Sequence, residues 1–136
     1  MGAQAPVEVF YHMKKNRDTT PKAVQRCHEL LLWVIPHLDK MPRSRRFTLG
    51  DRLETALLEV LERLVTAAYS RDKRKLLSEA NRKLEVARHL WRLAMELQAV
   101  NQKSWSYGAE LMLDLGRQMG GWIRSLSPKG ASGATA

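Results

Sequence analysis

Residues 69–94 read YSRDKRKLLSEANRKLEVARHLWRLA, and within them Leu77, Ala80, Leu84, Ala87, Trp91 and Ala94 recur at alternating steps of three and four. That spacing keeps one stripe of a 3.6-residue helix apolar and gives the seam of a helix packed lengthwise against others. It predicts a long amphipathic helix from about Ser70 to about Val100, and the rest of the chain is read outward from it.

Upstream, Leu49, Leu53, Ala56, Leu57, Val60, Leu61, Leu64 and Ala68 carry the inner face of a second helix that ends near Tyr69. Thr48 followed by Asp51 is an acidic variant of a capping pattern at its start, after a turn spanning Met41 to Phe47. Before that turn, Thr20 is an N-cap residue type and Pro21 suits the first helical position, so another helix is expected to run from there to about Met41. Its inner positions are Val24, Cys27, Leu30, Leu31, Val34, Ile35 and Leu38, with Pro36 expected to kink the last turn. The run Leu30 to Ile35 is apolar all round, which calls for cover on more than one side.

Downstream, a helix starting between Asn101 and Ser104 places Leu111, Met112, Leu115, Met119, Trp122, Ile123 and Leu126 inward. Gly108, Gly116, Gly120 and Gly121 fall inside it, each costing about 1 kcal/mol relative to Ala. Close approach of another backbone, within the bundle or across a subunit interface, is the usual compensation. Four helices of roughly 20 to 30 residues joined by short loops run antiparallel to their neighbours. The fold class is therefore all-α, an up-and-down four-helix bundle over residues 21–127. It is flanked by a loosely ordered N-terminal arm, 1–20, that Phe10 and Tyr11 pin in part, and by a disordered tail, 128–136.

Bulk numbers agree with that reading. The chain has 136 residues, within the range of one domain, and only 8 Gly and 5 Pro, too few for many-turned β architecture. A lone cysteine, Cys27, excludes an intrachain disulfide and a thiolate cluster, fits a reducing cytoplasm, and reads as a small core residue. No apolar run is long enough to span a bilayer. The 23 Lys and Arg against 14 Asp and Glu give a net charge of +9, so the partners expected are anionic, nucleic acid first.

Catalytic chemistry is not assembled by the sequence. His12, His28, His37 and His89 are scattered, and Glu85 stands one residue too far from His89 for the Glu-x-x-His pair of a diiron bundle. With no phosphate-cradling glycine loop either, no catalytic residue, metal or cofactor is expected. The cations are more informative. They gather in the loop Arg43, Arg45 and Arg46 with Arg52 one turn into the next helix, at the corner Arg71 to Lys75 that includes Arg74, and on the third helix at Arg82, Lys83, Arg88 and Arg92. Arg88 and Arg92 share a face beside the seam, where two guanidinium forks can take adjacent phosphates. A solvated face with Glu79, Glu85 and Glu96 as helical partners is the competing reading, and it is favoured for Lys73 and Lys75.

Three stretches in this order, LLLWVIPHLDKMPRSRRFTLGDRLE (30–54), the 69–94 segment and LGRQMGGWIRSL (115–126), resemble the accessory variability determinant (Avd) family of diversity-generating retroelements. The resemblance implies a protein without enzymatic activity that assembles as a homopentameric ring and binds nucleic acid through a basic surface. It also implies association with the retroelement's reverse transcriptase during mutagenic copying of a template RNA into cDNA. Arg88 and Arg92 fall on the family's basic third-helix positions, which makes them first choice for RNA or DNA contacts. A bundle acting only in protein interaction or on the ribosome is the alternative. Membrane binding is not expected, since no basic amphipathic helix with an open apolar face is legible.

Overall fold

Pro21, with φ −56° and ψ 143°, is the residue from which the first helix leaves, one position later than the Thr20 cap expected from sequence. The computed structural model describes residues 20–126, so the arm before Thr20 and the tail from 128 lie outside the described residues. Four helices follow: α1 (Lys22–Leu38), α2 (Asp51–Ala68), α3 (Lys73–Glu96) and α4 (Gln102–Ser125). No strand occurs among the described residues. α1 packs on α2 and α4, and α3 packs on the same two, so consecutive antiparallel helices close a square up-and-down bundle.

The ends differ instructively from the sequence reading. α1 stops at Leu38 rather than Met41, because Pro42 disfavours helical backbone at the residue before it. Pro36 sits inside α1 on its exposed side, where the carbonyl deprived of its donor belongs to exposed Leu32. The expected turn and Thr48 cap are replaced by continuous helix. A single turn, Arg43–Arg45, leads into π-helical backbone over Arg46–Gly50 and then α2, with the Asp51 amide bonded back to the Arg46 carbonyl. Thr48 therefore caps nothing, and its hydroxyl donates to the Arg45 carbonyl at 3.4 Å. The true start of this run is Pro42, whose fixed φ suits a helix start.

Between α2 and α3, the Lys73 ammonium donates to the carbonyls of Ala67 and Ser70, both at 2.8 Å, and so closes the C-terminus of α2. Lys73, expected on a solvated face with a glutamate partner, is instead half-buried on backbone carbonyls. α3 ends in a Schellman turn with Gln98 at φ 62° in the left-handed position, the amides of Ala99 and Gln98 bonding to the carbonyls of Ala94 and Met95. Asn101 then caps α4 by accepting from the Ser104 amide at 2.7 Å.

All six seam positions of α3 are buried. Cys27, Leu53, Leu57, Leu64, Met112, Leu115 and Met119 fill the core around them. Ala67 rather than Ala68 faces inward at the end of α2, and Val24, Ile35, Ala56 and Leu61 are only partly buried. In α4, Leu111, Trp122, Ile123 and Leu126 are likewise half-covered. The all-round apolar run of α1 is not enclosed by its own chain, since Leu32 is 66% exposed.

Candidate nucleic-acid interface

Helix α3 carries seven cations against three carboxylates, and the bundle sorts them onto two flanks. The flank toward α2 is neutralised across the helix pair. Lys83 reaches Glu59 at 2.8 Å and Arg63 of α2 reaches Glu79 at 3.3 Å, so Glu79 does not serve the cations of its own helix. The bond from Lys83 holds the Glu59 carboxyl below its ordinary pKa.

The flank toward α4 is different. Arg88 and Arg92 stand at the rim of a groove of about 200 Å³ whose α4 wall is Trp105 and Ala109, with Met112 and Trp91 at its floor. Their carboxylate partners are on the same helix, Glu85 at 2.9 Å from Arg88 and Glu96 at 3.0 Å from Arg92. Pairs of this kind, half-exposed and three or four residues apart, contribute only about 0.3–0.5 kcal/mol, so a phosphate can replace either carboxylate at little cost. The helical partners expected for these arginines are present, and they leave the guanidiniums within reach of solvent.

The remaining sequence candidates are distributed around the fold rather than gathered beside Arg88. Arg52 lies in a hollow between α2 and α3 with Glu59, Lys83 and Leu90, and Arg82 in a second hollow on the same pair of helices with Arg63 and Glu79. Arg43 is exposed and Arg45 half-buried at the start of the helical run into α2. Arg46 turns inward. It pairs with Asp39 at 2.7 Å, lies over the Phe47 ring at 5.5 Å and keeps one guanidinium nitrogen buried without a partner, so its task is to tie the end of α1 to the π-helical segment. The antiparallel order puts the corners at Arg43–Arg52 and at Arg88–Arg92 toward one end of the bundle. Arg74, exposed at the start of α3, lies toward the other.

Trp105 was not anticipated. It stands in the first turn of α4, four and seven residues before Ala109 and Met112, and that spacing was the signal available. Its backbone carbonyl accepts from the indole N–H of buried Trp91 at 2.9 Å, which locks the start of α4 onto α3. A further aromatic group joins α1 to α4: Trp33 stacks on His37 at 3.9 Å, lies 5.0 Å from Tyr107 and meets the Trp91 ring edge-on at 6.1 Å. Cys27 is fully buried and its thiol is pushed up to about 12 by that burial, which makes it a packing residue. Among the described residues no group of three or more His, Cys, Asp or Glu is placed to hold a metal ion, and no helix is long and apolar enough to cross a membrane.

A basic up-and-down four-helix bundle with an open groove rimmed by Arg88 and Arg92 is the class of protein that fold and surface define. The chain belongs to the bAvd-like family, which matches it over residues 23–126, all four helices included. No curated protein and no solved structure matches it.

Proposed function

We propose that the protein is a non-enzymatic accessory subunit of a diversity-generating retroelement, acting in the cytoplasm as a homopentamer that binds template RNA or DNA and partners the reverse transcriptase. Membership of the bAvd-like family supports the accessory role. The observation that carries nucleic-acid binding is the pair Arg88 and Arg92, one helical turn apart on an open groove and held only by weak partners within their own helix. Phosphate contacts from two such forks supply charge and register without reading sequence.

The test replaces Arg88 and Arg92 with alanine and measures binding to mixed RNA over a range of salt. Each guanidinium that neutralises a phosphate releases about one counterion, so log affinity against log salt becomes shallower by about 1 to 2 units, with base preference unchanged. The control removes the same formal charge from the far end of the bundle, Arg71→Ala with Lys75→Ala. Lys73 is spared because it caps α2. Equal weakening by both pairs would mean bulk charge rather than a site. Loss of reverse transcriptase association with RNA binding intact would reassign the arginines to a protein interface.

One observation favours the second reading, a bundle working through protein contacts alone. Leu32 on α1 and Leu58 and Val65 on α2 are exposed large apolar side chains on neighbouring helices. Light scattering decides whether the chain covers such residues by self-association, and a monomer at micromolar concentration would remove the pentamer.

A further inference from the structure

The groove between α3 and α4 has two chemistries stacked one above the other. Its rim is polar and mainly cationic, Arg88 and Arg92 with Glu85 and His89, while its wall and floor are apolar, Trp105, Ala109, Trp91 and Met112. A phosphate alone uses only the rim. A ligand that matches both layers has a flat apolar body with negative charge attached, as an unpaired nucleotide does. A base still paired in a duplex cannot bring its face to the wall.

Resting on the nucleic-acid reading above, we propose that this groove receives one unpaired nucleobase of a single-stranded nucleic acid, stacked on Trp105 while Arg88 and Arg92 hold the flanking phosphates. Trp105 is suited to the role by how it is fixed. Its backbone is anchored by the Trp91 indole and by the Asn101 cap one turn earlier, so the ring is presented by a rigid helix start. Ala109, one turn on, has the small side chain that keeps space beside the ring. Glu85 is the one carboxylate lining the groove; it is half-exposed and paired with Arg88 at 2.9 Å, and it turns to solvent when a phosphate takes its place. The aromatic hollow at Trp33, His37 and Tyr107 does not offer the same fit, because Trp33 and His37 already stack on each other and the hollow carries one Lys, Lys103, beside a carboxylate, Glu110, rather than two arginines.

Stacking of a base on an aromatic side chain is indifferent to sequence and requires an unpaired strand. Fluorescence anisotropy with a labelled mixed-sequence single-stranded RNA, its DNA counterpart and the same RNA in duplex form separates the outcomes. The parent is expected to bind both single strands more tightly than the duplex. Trp105→Leu lowers single-strand affinity about tenfold and leaves duplex affinity unchanged, whereas Trp105→Phe, which keeps an aromatic face, retains most of it. Ala109→Leu fills the groove without removing any group and without harming helix propensity, and it gives the same selective loss. Trp105→Leu and Ala109→Leu proteins that keep the parent's single-strand preference would overturn the stacking site, as would equal losses on single strand and duplex. Either result leaves the arginine-based reading standing. A parent that binds no strand at low salt would overturn both.

Discussion

The two halves of α4 use glycine for opposite ends. In the first half, Gly108 is buried, and a Cβ there would stand 2.7 Å from the Trp91 ring, so the missing side chain is the notch that seats the largest core residue. In the second half, a Cβ on Gly120 would meet only the tip of Arg124 at 3.5 Å, and one on Gly121 the same side chain at 3.8 Å. No other helix among the described residues comes that close. Gly116 stands between these cases, in ordinary contact with Leu84 at 3.7 Å. The cost of an interior glycine is thus offset inside the chain at Gly108, and nothing among the described residues offsets it at Gly120 and Gly121. The same half of α4 carries the half-covered Trp122, Ile123 and Leu126.

The contrast is most exposed to refutation at Trp91. Trp91→Ala empties the notch and removes the bond to the Trp105 carbonyl, and it should cost about 3–5 kcal/mol in denaturant unfolding. A loss under about 1 kcal/mol would mean that Trp91 is not the centre of the core and that Gly108 has no special fit to explain. The complementary substitution, Gly108→Ala, gains about 1 kcal/mol of helix propensity and is opposed by about 1–3 kcal/mol of overpacking against a fully buried ring. A net loss of about 1 kcal/mol is expected. A protein stabilised by this change would show that the ring moves aside freely.

How much of this was legible depends on how completely each helix is covered. α3 is flanked by α2 and α4 along its length, so every seam position read from the three-four spacing is buried. α4 was over-read toward its end, because an apolar residue there signals burial only if a neighbour is present to bury it. The corner between α1 and α2 was misread for a local reason. Thr48 and Asp51 imitate a helix start, but Pro42 has already set the backbone, and the π-helical stretch it leads into has no spacing signature of its own. For the interface, the shared face of Arg88 and Arg92 follows from their separation by four. Their solvent access was hidden in the sequence, because it depends on the start of α4 placing Trp105 and Ala109, and no carboxylate, along the groove beside them. Trp105 went unnoticed because its partners on α3 are brought to it only by the corner at Gln98.

Gly120→Ala is the smallest expected effect and the sharpest test of the comparison. Position 120 is helical, with no left-handed backbone to preserve, so alanine gains up to about 1 kcal/mol from reduced chain entropy in the unfolded state. Among the described residues, what the new methyl meets from other side chains is the guanidinium end of Arg124, which can swing away without disturbing the core. Unfolding midpoint and mass should be measured together, because the protomer and the oligomer respond separately. A rise in stability with unchanged mass is the expected outcome, and it sets Gly120 apart from Gly108 by the sign of the effect alone. A fall in stability together with a fall in mass would place the backbone of a second copy against this half of α4. The glycine would then be compensated across a subunit boundary, and the two halves of the helix would share one explanation, close approach, differing only in which chain supplies it.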